Sequence, residues 1–285
     1  MAKIAWYGTG LMGSGFVEAL LRRGEEVTVY NRTFAKARAL EALGARAVED
    51  PRAAAAGASQ LHIMLGDDAT VDDLLERLDG AIEANAIVID HTTVAPRPTM
   101  RRFERMAERK IDFLHAPVFM SPRMTREAGG VMLVAGPQSI FERVKGDLSK
   151  MASHLWYVGE RTDKAAALKL FGNEMLVSLV AGLADMYGLA KSIGLPPAEA
   201  FELFEHFKPT GAIDVRGKTM AAGDFTPSFE LTMARKDVRL MLETAAEGDV
   251  ALYLLPAIAA RMDALIAAGH GSEDMSVLGV DAVKP

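Results

Sequence analysis

Through about the first 155 residues, short runs of β-branched and apolar residues alternate with stretches whose apolar positions recur every three or four residues. The runs predict strands at Lys3–Tyr7, 27–31, 60–65, Ile87–Asp90, 113–117 and Val131–Ala135. The stretches between them predict amphipathic helices, one carrying Phe16, Ala19 and Leu20 and another Val71, Leu74 and Leu75. Strand–helix alternation of this kind implies a mostly parallel sheet covered on both faces, a doubly wound α/β domain.

The pattern changes near Thr162. Asp163 is placed to cap a helix over Lys164–Ser192, which contains no proline and at 1.5 Å per residue would be about 45 Å long. Gly194 and Pro196-Pro197 end it, and further helical patterns occupy 196–207, Leu231–Glu247 and 254–268. The expected organisation is therefore an α/β domain at 1–161 followed by an all-α domain at 162–285, joined by the long helix. The apolar stretch 175–184 is far shorter than the roughly twenty residues that span a bilayer, so it reads as a buried helix. A helix this apolar needs covering on more sides than a small domain offers, which predicts subunit association as a homodimer or homotetramer.

Composition narrows the partners. The formal charge is −6 with no dense Lys/Arg block, which argues against nucleic acid and anionic membrane surfaces as partners. The absence of cysteine excludes disulfides, thiolate nucleophiles and zinc-thiolate sites. His62, His91, His154, His206 and His270 lack metal-ligand spacing, so no metal is expected. The chain opens Met-Ala-Lys and runs directly into Ile4-Ala5-Trp6-Tyr7, which leaves no room for a removable leader and makes a cytoplasmic location the expectation.

Candidate chemistry begins at the first strand's end. Gly8-Thr9-Gly10-Leu11-Met12-Gly13 fits G-x-G-x-x-G between a predicted strand and a helix starting near Leu11. There, unpaired backbone N–H groups and the helix dipole can hold a pyrophosphate. Gly8 allows the tight turn, Gly10 the approach of phosphate and Gly13 the packing of helix on strand. The first domain is thus read as a Rossmann-type dinucleotide-binding domain. At the end of the second strand, where an NAD-preferring site carries Asp or Glu for the ribose hydroxyls, the chain has Asn31-Arg32-Thr33. Arg32 offers a planar cation and Thr33 a hydroxyl for a 2′-phosphate, which predicts NADP(H).

These segments, with Lys36-Ala37, resemble the opening of the β-hydroxyacid dehydrogenases (3-hydroxyisobutyrate dehydrogenase-like), relatives of 6-phosphogluconate dehydrogenase. The resemblance continues to the C-terminus. Met64-Leu65-Gly66-Asp67 resembles the family's post-strand cofactor loop and Asp90-His91-Thr92-Thr93 its Asp-x-Ser-Thr turn, which implies that Leu65 and Thr93 line the cofactor. Lys169-Leu170-Phe171-Gly172-Asn173 resembles the signature in which a helical lysine is followed four positions later by asparagine. That spacing puts both on one helix face. Reduction of a carbonyl by hydride leaves a developing alkoxide, which a nearby ammonium stabilises and protonates, so Lys169 and Asn173 are the candidate catalytic pair. Lys236, in the segment ending Arg235-Lys236-Asp237, is carried over by resemblance as a residue that reaches the cofactor.

The departure lies at Ala116-Pro117-Val118-Phe119-Met120-Ser121, where the family has Asp-Ala-Pro-Val-Ser-Gly-Gly gripping a substrate carboxylate. His115 replaces the Asp, and Phe119 and Met120 replace Ser and Gly. Phe119, Met120 and Ser121 are the candidate substrate-binding residues, with Ser121 or Arg123 as possible replacements for the missing donor. The resulting expectation is an NADP(H)-dependent interconversion of a small aldehyde, semialdehyde or ketone with a hydroxy compound. The alternatives are imine reduction, against which the retained Lys169 argues, and a non-catalytic NADP(H) sensor.

Overall fold

The computed structural model describes residues 3–283 of the 285-residue chain. The expectation of a leaderless N-terminus rests partly on Met1 and Ala2, which lie outside the described residues. Two compact units divide the chain, one running to Glu174 and the other from Met175. The expected boundary at 161/162 marks the start of the long helix, whereas the two units part inside it.

Among the described residues the first unit is built on nine strands: β1 (Lys3–Tyr7), β2 (Glu26–Tyr30), β3 (Arg46–Val48), β4 (Gln60–Ile63), β5 (Ile87–Asp90), β6 (Asp112–His115), β7 (Val118–Phe119), β8 (Val131–Ala135) and β9 (His154–Gly159). Their order is β3-β2-β1-β4-β5-β6-β8-β7, with β9 beside β8. The pairings from β3 to β6 are parallel, β8 runs antiparallel to β6 and β7, and β9 is parallel to β8. The sheet is therefore mostly parallel and doubly wound, as the pattern predicts.

Alternation along β1 sorts the core into two layers. Ile4 and Trp6 pack with Phe16, Val17 and Leu20 of the helix Leu11–Arg22. Ala5 and Tyr7 face the other way, with Val71, Leu74 and Leu75 of the helix Asp68–Arg77 and Phe103 of the helix Pro96–Glu108. Three strands escape the sequence pattern. β3 and β7 span three and two residues, too few to show alternation. β9 leaves Trp156 46% exposed, so its apolar positions do not mark a buried face.

The long helix has the predicted limits, Lys164–Ser192. Asp163 supplies its backbone carbonyl to Ala167 N–H, but its carboxylate is held by Arg161 at 2.7 and 3.0 Å, a bidentate pair in place of the expected side-chain cap. In the second unit, Leu231, Ala234 and Val238 of the helix Leu231–Glu247 pack with Ala259, Met262 and Leu265 of the helix Leu255–Leu265 and with Val277 and Val280. The Asp185 carboxylate accepts from the amides of Tyr253, Leu254 and Leu255 at 2.7–2.9 Å, satisfying the exposed donors at that helix start.

One expectation is corrected here. The stretch 175–184 is not buried by its own chain: Leu176, Val177 and Val180 are 55%, 69% and 66% exposed. The second unit gathers its core around the two later helices, which leaves this apolar segment uncovered. By length and composition the 29-residue helix also meets the requirements of a membrane span.

Candidate active site

The turn after β1 carries the candidate chemistry. Gly8 adopts φ +97°, and a Cβ there would lie 2.1 Å from the Met64 carbonyl oxygen. A Cβ on Gly13 would lie 2.0 Å from the Gly8 carbonyl oxygen, so helix and strand approach as only glycine permits. At Gly10 a Cβ would meet nothing within 4 Å, because that position faces an open cleft. The helix Leu11–Arg22 begins at this point with no side-chain cap and no acid in its first turn, leaving its first amides to the cleft.

The cleft measures about 650 Å³ and is lined by Gly8, Gly10, Leu11, Met12, Gly13, Asn31, Leu65, Thr93 and Lys169 among the predicted residues. Met120 lines it as well. Met64, Gly66, His91, Thr92 and Val118, which belong to the segments that carry the family resemblance but had no role of their own, also line it. Thr92 has a traceable reason for its place. Its hydroxyl accepts from Leu65 N–H at 3.1 Å, its amide donates to Asp90 Oδ1 at 2.9 Å, and its carbonyl is 3.0 Å from His115 Nε2. It ties the ends of β4, β5 and β6 together; its pairing across three strand ends has no signature in the sequence.

A second hollow of about 340 Å³ adjoins the end of β2, lined by Asn31, Arg32, Thr33, Lys36 and Leu65, with Tyr30, Asp67, Thr70, Asp73 and Arg77. Asn31 and Leu65 line both spaces. Asn31 accepts from Thr9 N–H at 3.1 Å and donates to the Thr33 carbonyl at 3.0 Å, which explains why it leaves the strand predicted to contain it. The acids here are engaged locally. Asp67 caps Thr70 N–H at 2.8 Å, and Asp73 lies 4.0 Å from Arg77. Arg32, Thr33 and Lys36 are exposed, leaving their polar heads accessible to an anion.

Lys169 is 9% exposed although it carries a charge. Its Nζ donates to Asn173 Oδ1 at 2.9 Å and lies 4.2 Å from the centroid of the Phe119 ring. Burial lowers its pKa from the ordinary lysine value. In the wall of the cleft, His91 Nδ1 donates to the Ala116 carbonyl at 2.8 Å, and His91 Nε2 is 2.9 Å from His62 Nδ1. Burial pulls His91 down to about 4, so its ring is neutral near pH 7.

Phe119 packs against Lys169 and is not among the residues lining the cleft. Ser121 is exposed and caps the short helix Pro122–Arg126 by accepting from Met124 N–H at 3.3 Å. Arg123, considered as its alternative, is paired with Glu127 at 2.9 Å. Lys236 belongs to the second unit, where its exposed ammonium is 2.9 Å from Asp237 Oδ1.

A glycine-tight turn, an open helix N-terminus and a hollow at the end of the second strand define a dinucleotide-binding α/β protein. Residues 3–159 match the NAD-binding domain of 6-phosphogluconate dehydrogenase, and residues 164–279 match the NAD-binding domain of NADP-dependent 3-hydroxyisobutyrate dehydrogenase. The chain belongs to the 3-hydroxyisobutyrate dehydrogenase-like family of NAD(P)-dependent hydroxyacid dehydrogenases. An uncharacterized oxidoreductase, YfjR, of Bacillus subtilis is 30% identical over 97% of this chain and 98% of its own. The 2-(hydroxymethyl)glutarate dehydrogenase of Eubacterium barkeri is 28% identical over 97% and 93%. Among solved structures, an imine reductase from Myxococcus stipitatus in complex with NADP+ superposes with a TM-score of 0.90 over 97% of this chain and 98% of that one. At 21% identity that likeness speaks for the fold alone.

Proposed function

We propose that this chain interconverts a small carbonyl compound, an aldehyde, semialdehyde or ketone, with the corresponding hydroxy compound, using NADP(H) and Lys169 as the proton-transfer group. The observation that carries the reading is the buried Lys169 ammonium, held by Asn173, in the wall of the same cleft as the glycine turn. When bound, the nicotinamide supplies or accepts hydride. Lys169 Nζ gives its proton to the oxygen that becomes a hydroxyl and, uncharged, takes that proton in the reverse direction. Asn173 orients the ammonium, and the apolar Val118 and Met120 limit water beside it.

The choice of NADP(H) is supported by Arg32, Thr33 and Lys36 around the second hollow, with no acid at Asn31. Lys236 is assigned to the cofactor on family resemblance. The exposed apolar face at 175–184 supports a homodimer or homotetramer in which a second copy covers it, in place of lipid. Lys169 near one end of this helix and Asp185 further along it have polar partners within the protein, as expected of a helix that packs on protein. A cytoplasmic enzyme with a small-molecule substrate and no nucleic-acid partner completes the proposal.

The imine-reductase reading draws support from Phe119 and Met120 standing where a carboxylate grip is expected. One assay separates the readings: NADPH and NADH oxidation across aldehydes, semialdehydes, keto acids and cyclic imines. The proposal expects a carbonyl class to turn over fastest and NADPH to be preferred. Faster turnover of cyclic imines than of every carbonyl would overturn it.

A further inference from the structure

Phe119 has a fixed place. It belongs to β7, where it pairs with Val131 of β8, and it is half-buried against the cluster of Leu133, Ala135, Val158 and Ala165. One side of the ring rests on the long helix at Gly172, where a Cβ would lie 2.4 Å from Phe119 Cζ and 2.6 Å from Cε1. Gly172 is thus the space into which the ring fits, one turn along the helix from Lys169. The face of the same ring receives the Lys169 ammonium at 4.2 Å from its centroid.

Lys169 is therefore a buried cation whose partners are an amide oxygen and an aromatic face, both uncharged. Among the described residues lining the cleft there is no carboxylate, and His91 is the other titratable side chain. His91 is kept neutral near pH 7 by burial, with its pKa at about 4. The strands packed on Phe119 present apolar side chains, Val131 and Leu133 from β8 and Val158 from β9. On the helix itself, Lys164 and Glu174 are exposed.

We propose that Phe119 is a positioning residue for Lys169, its ring face fixing the ammonium and favouring its charged form while leaving it without a counter-anion. Burial disfavours the charged form, and the ring quadrupole opposes that penalty, most effectively where water is excluded. A carboxylate in the ring's place would bind the proton's charge strongly and resist its transfer. A ring and an amide hold the lysine in position, yet leave its positive charge available to a developing alkoxide. The bulk at position 119 is then part of the proton-transfer apparatus, whatever its effect on carboxylate substrates.

The inference rests on the proposed role of Lys169, so its test reads the lysine directly and needs no turnover. The full-length protein is acylated with acetic anhydride over a pH series, and modification of Lys169 is followed by mass spectrometry. Phe119→Leu keeps an apolar side chain but removes the ring. It should move the Lys169 midpoint to lower pH by between roughly half a unit and one and a half, the range expected for loss of a cation–π contact. Phe119→Tyr should stay near the parent, which separates a ring effect from a packing effect. Gly172→Ala, which pushes the ring away, should shift the midpoint in the same direction as Phe119→Leu. A midpoint unchanged in folded Phe119→Leu, or moved equally by Phe119→Tyr, overturns the inference. Full activity in Lys169→Ala would instead overturn the proton-transfer reading and leave this titration result standing.

Discussion

Asn173 Oδ1 accepts a hydrogen bond from Lys169 Nζ at 2.9 Å, one helical turn along Lys164–Ser192. The bond orients an ammonium that has lost most of its water, so Asn173 acts through the lysine. Asn173→Ala should lower kcat by roughly tenfold, less than the factor expected for removing a general acid, and leave NADPH affinity within about twofold, because the residue does not line the cofactor cleft. Steady-state kinetics with a fluorescence titration of NADPH checks both; equal losses in kcat and NADPH affinity would contradict the assignment.

The Arg32 side chain is exposed beside the second hollow. If it meets a 2′-phosphate, Arg32→Ala should raise the KM for NADPH by about tenfold or more, as expected from loss of a charge-assisted hydrogen bond worth roughly 1.5–3 kcal/mol. The KM for NADH should change little. Comparing the two cofactors in one assay tests this, and parallel increases for both would contradict the proposed selectivity.

At Gly13 a methyl group would sit 2.0 Å from the Gly8 carbonyl oxygen. Gly13→Ala must push the helix away from β1, with an expected destabilisation of about 1–3 kcal/mol and loss of NADPH binding as the first-turn amides move. Gly10→Ala is a matched control for stability, since its Cβ would enter open space. Urea unfolding of the two variants should separate them; equal stability would argue against the tight contact.

His91 and His62 make the protein's stability depend on pH. Burial is the main cause in both, lowering His91 to about 4 and His62 well below the ordinary histidine value. In the unfolded chain each titrates near 6.5, the ordinary histidine value, so between that pH and about 4 the unfolded state binds more protons. Stability is therefore fully present above about 6.5 and declines as pH falls, by roughly 3 kcal/mol for His91 alone once pH is near 4. Buried Asp90, whose pKa is raised by burial, contributes with the opposite sign, so parent and His91→Gln should be compared. The variant should show a shallower loss between pH 7 and 4.5 in denaturant titrations; identical slopes would rule out His91 as a source.

Much of this arrangement is legible in the sequence. The long helix has its predicted limits because no proline interrupts it and Gly194 with Pro196 ends it. The glycine turn is readable because strand, turn and helix are contiguous. Other features depend on contacts between distant segments. The helix Gly211–Ala221 buries no residue and presents no consistent apolar face, so no periodicity marks it in the sequence. The stretch 175–184 reads as buried from hydropathy alone, but hydropathy does not say which surface covers a helix. At Phe119 the residue types disclose the missing carboxylate grip, whereas its contact with Lys169 exists only because β7 and the long helix meet at Gly172.

The most direct test of the central claim is turnover of Lys169→Ala on the best carbonyl substrate, measured beside its affinity for NADPH. The account predicts a loss in kcat of at least about a hundredfold, the size of a lost general acid, with NADPH binding nearly unchanged. A variant that binds NADPH and turns over at close to the parent rate would contradict it.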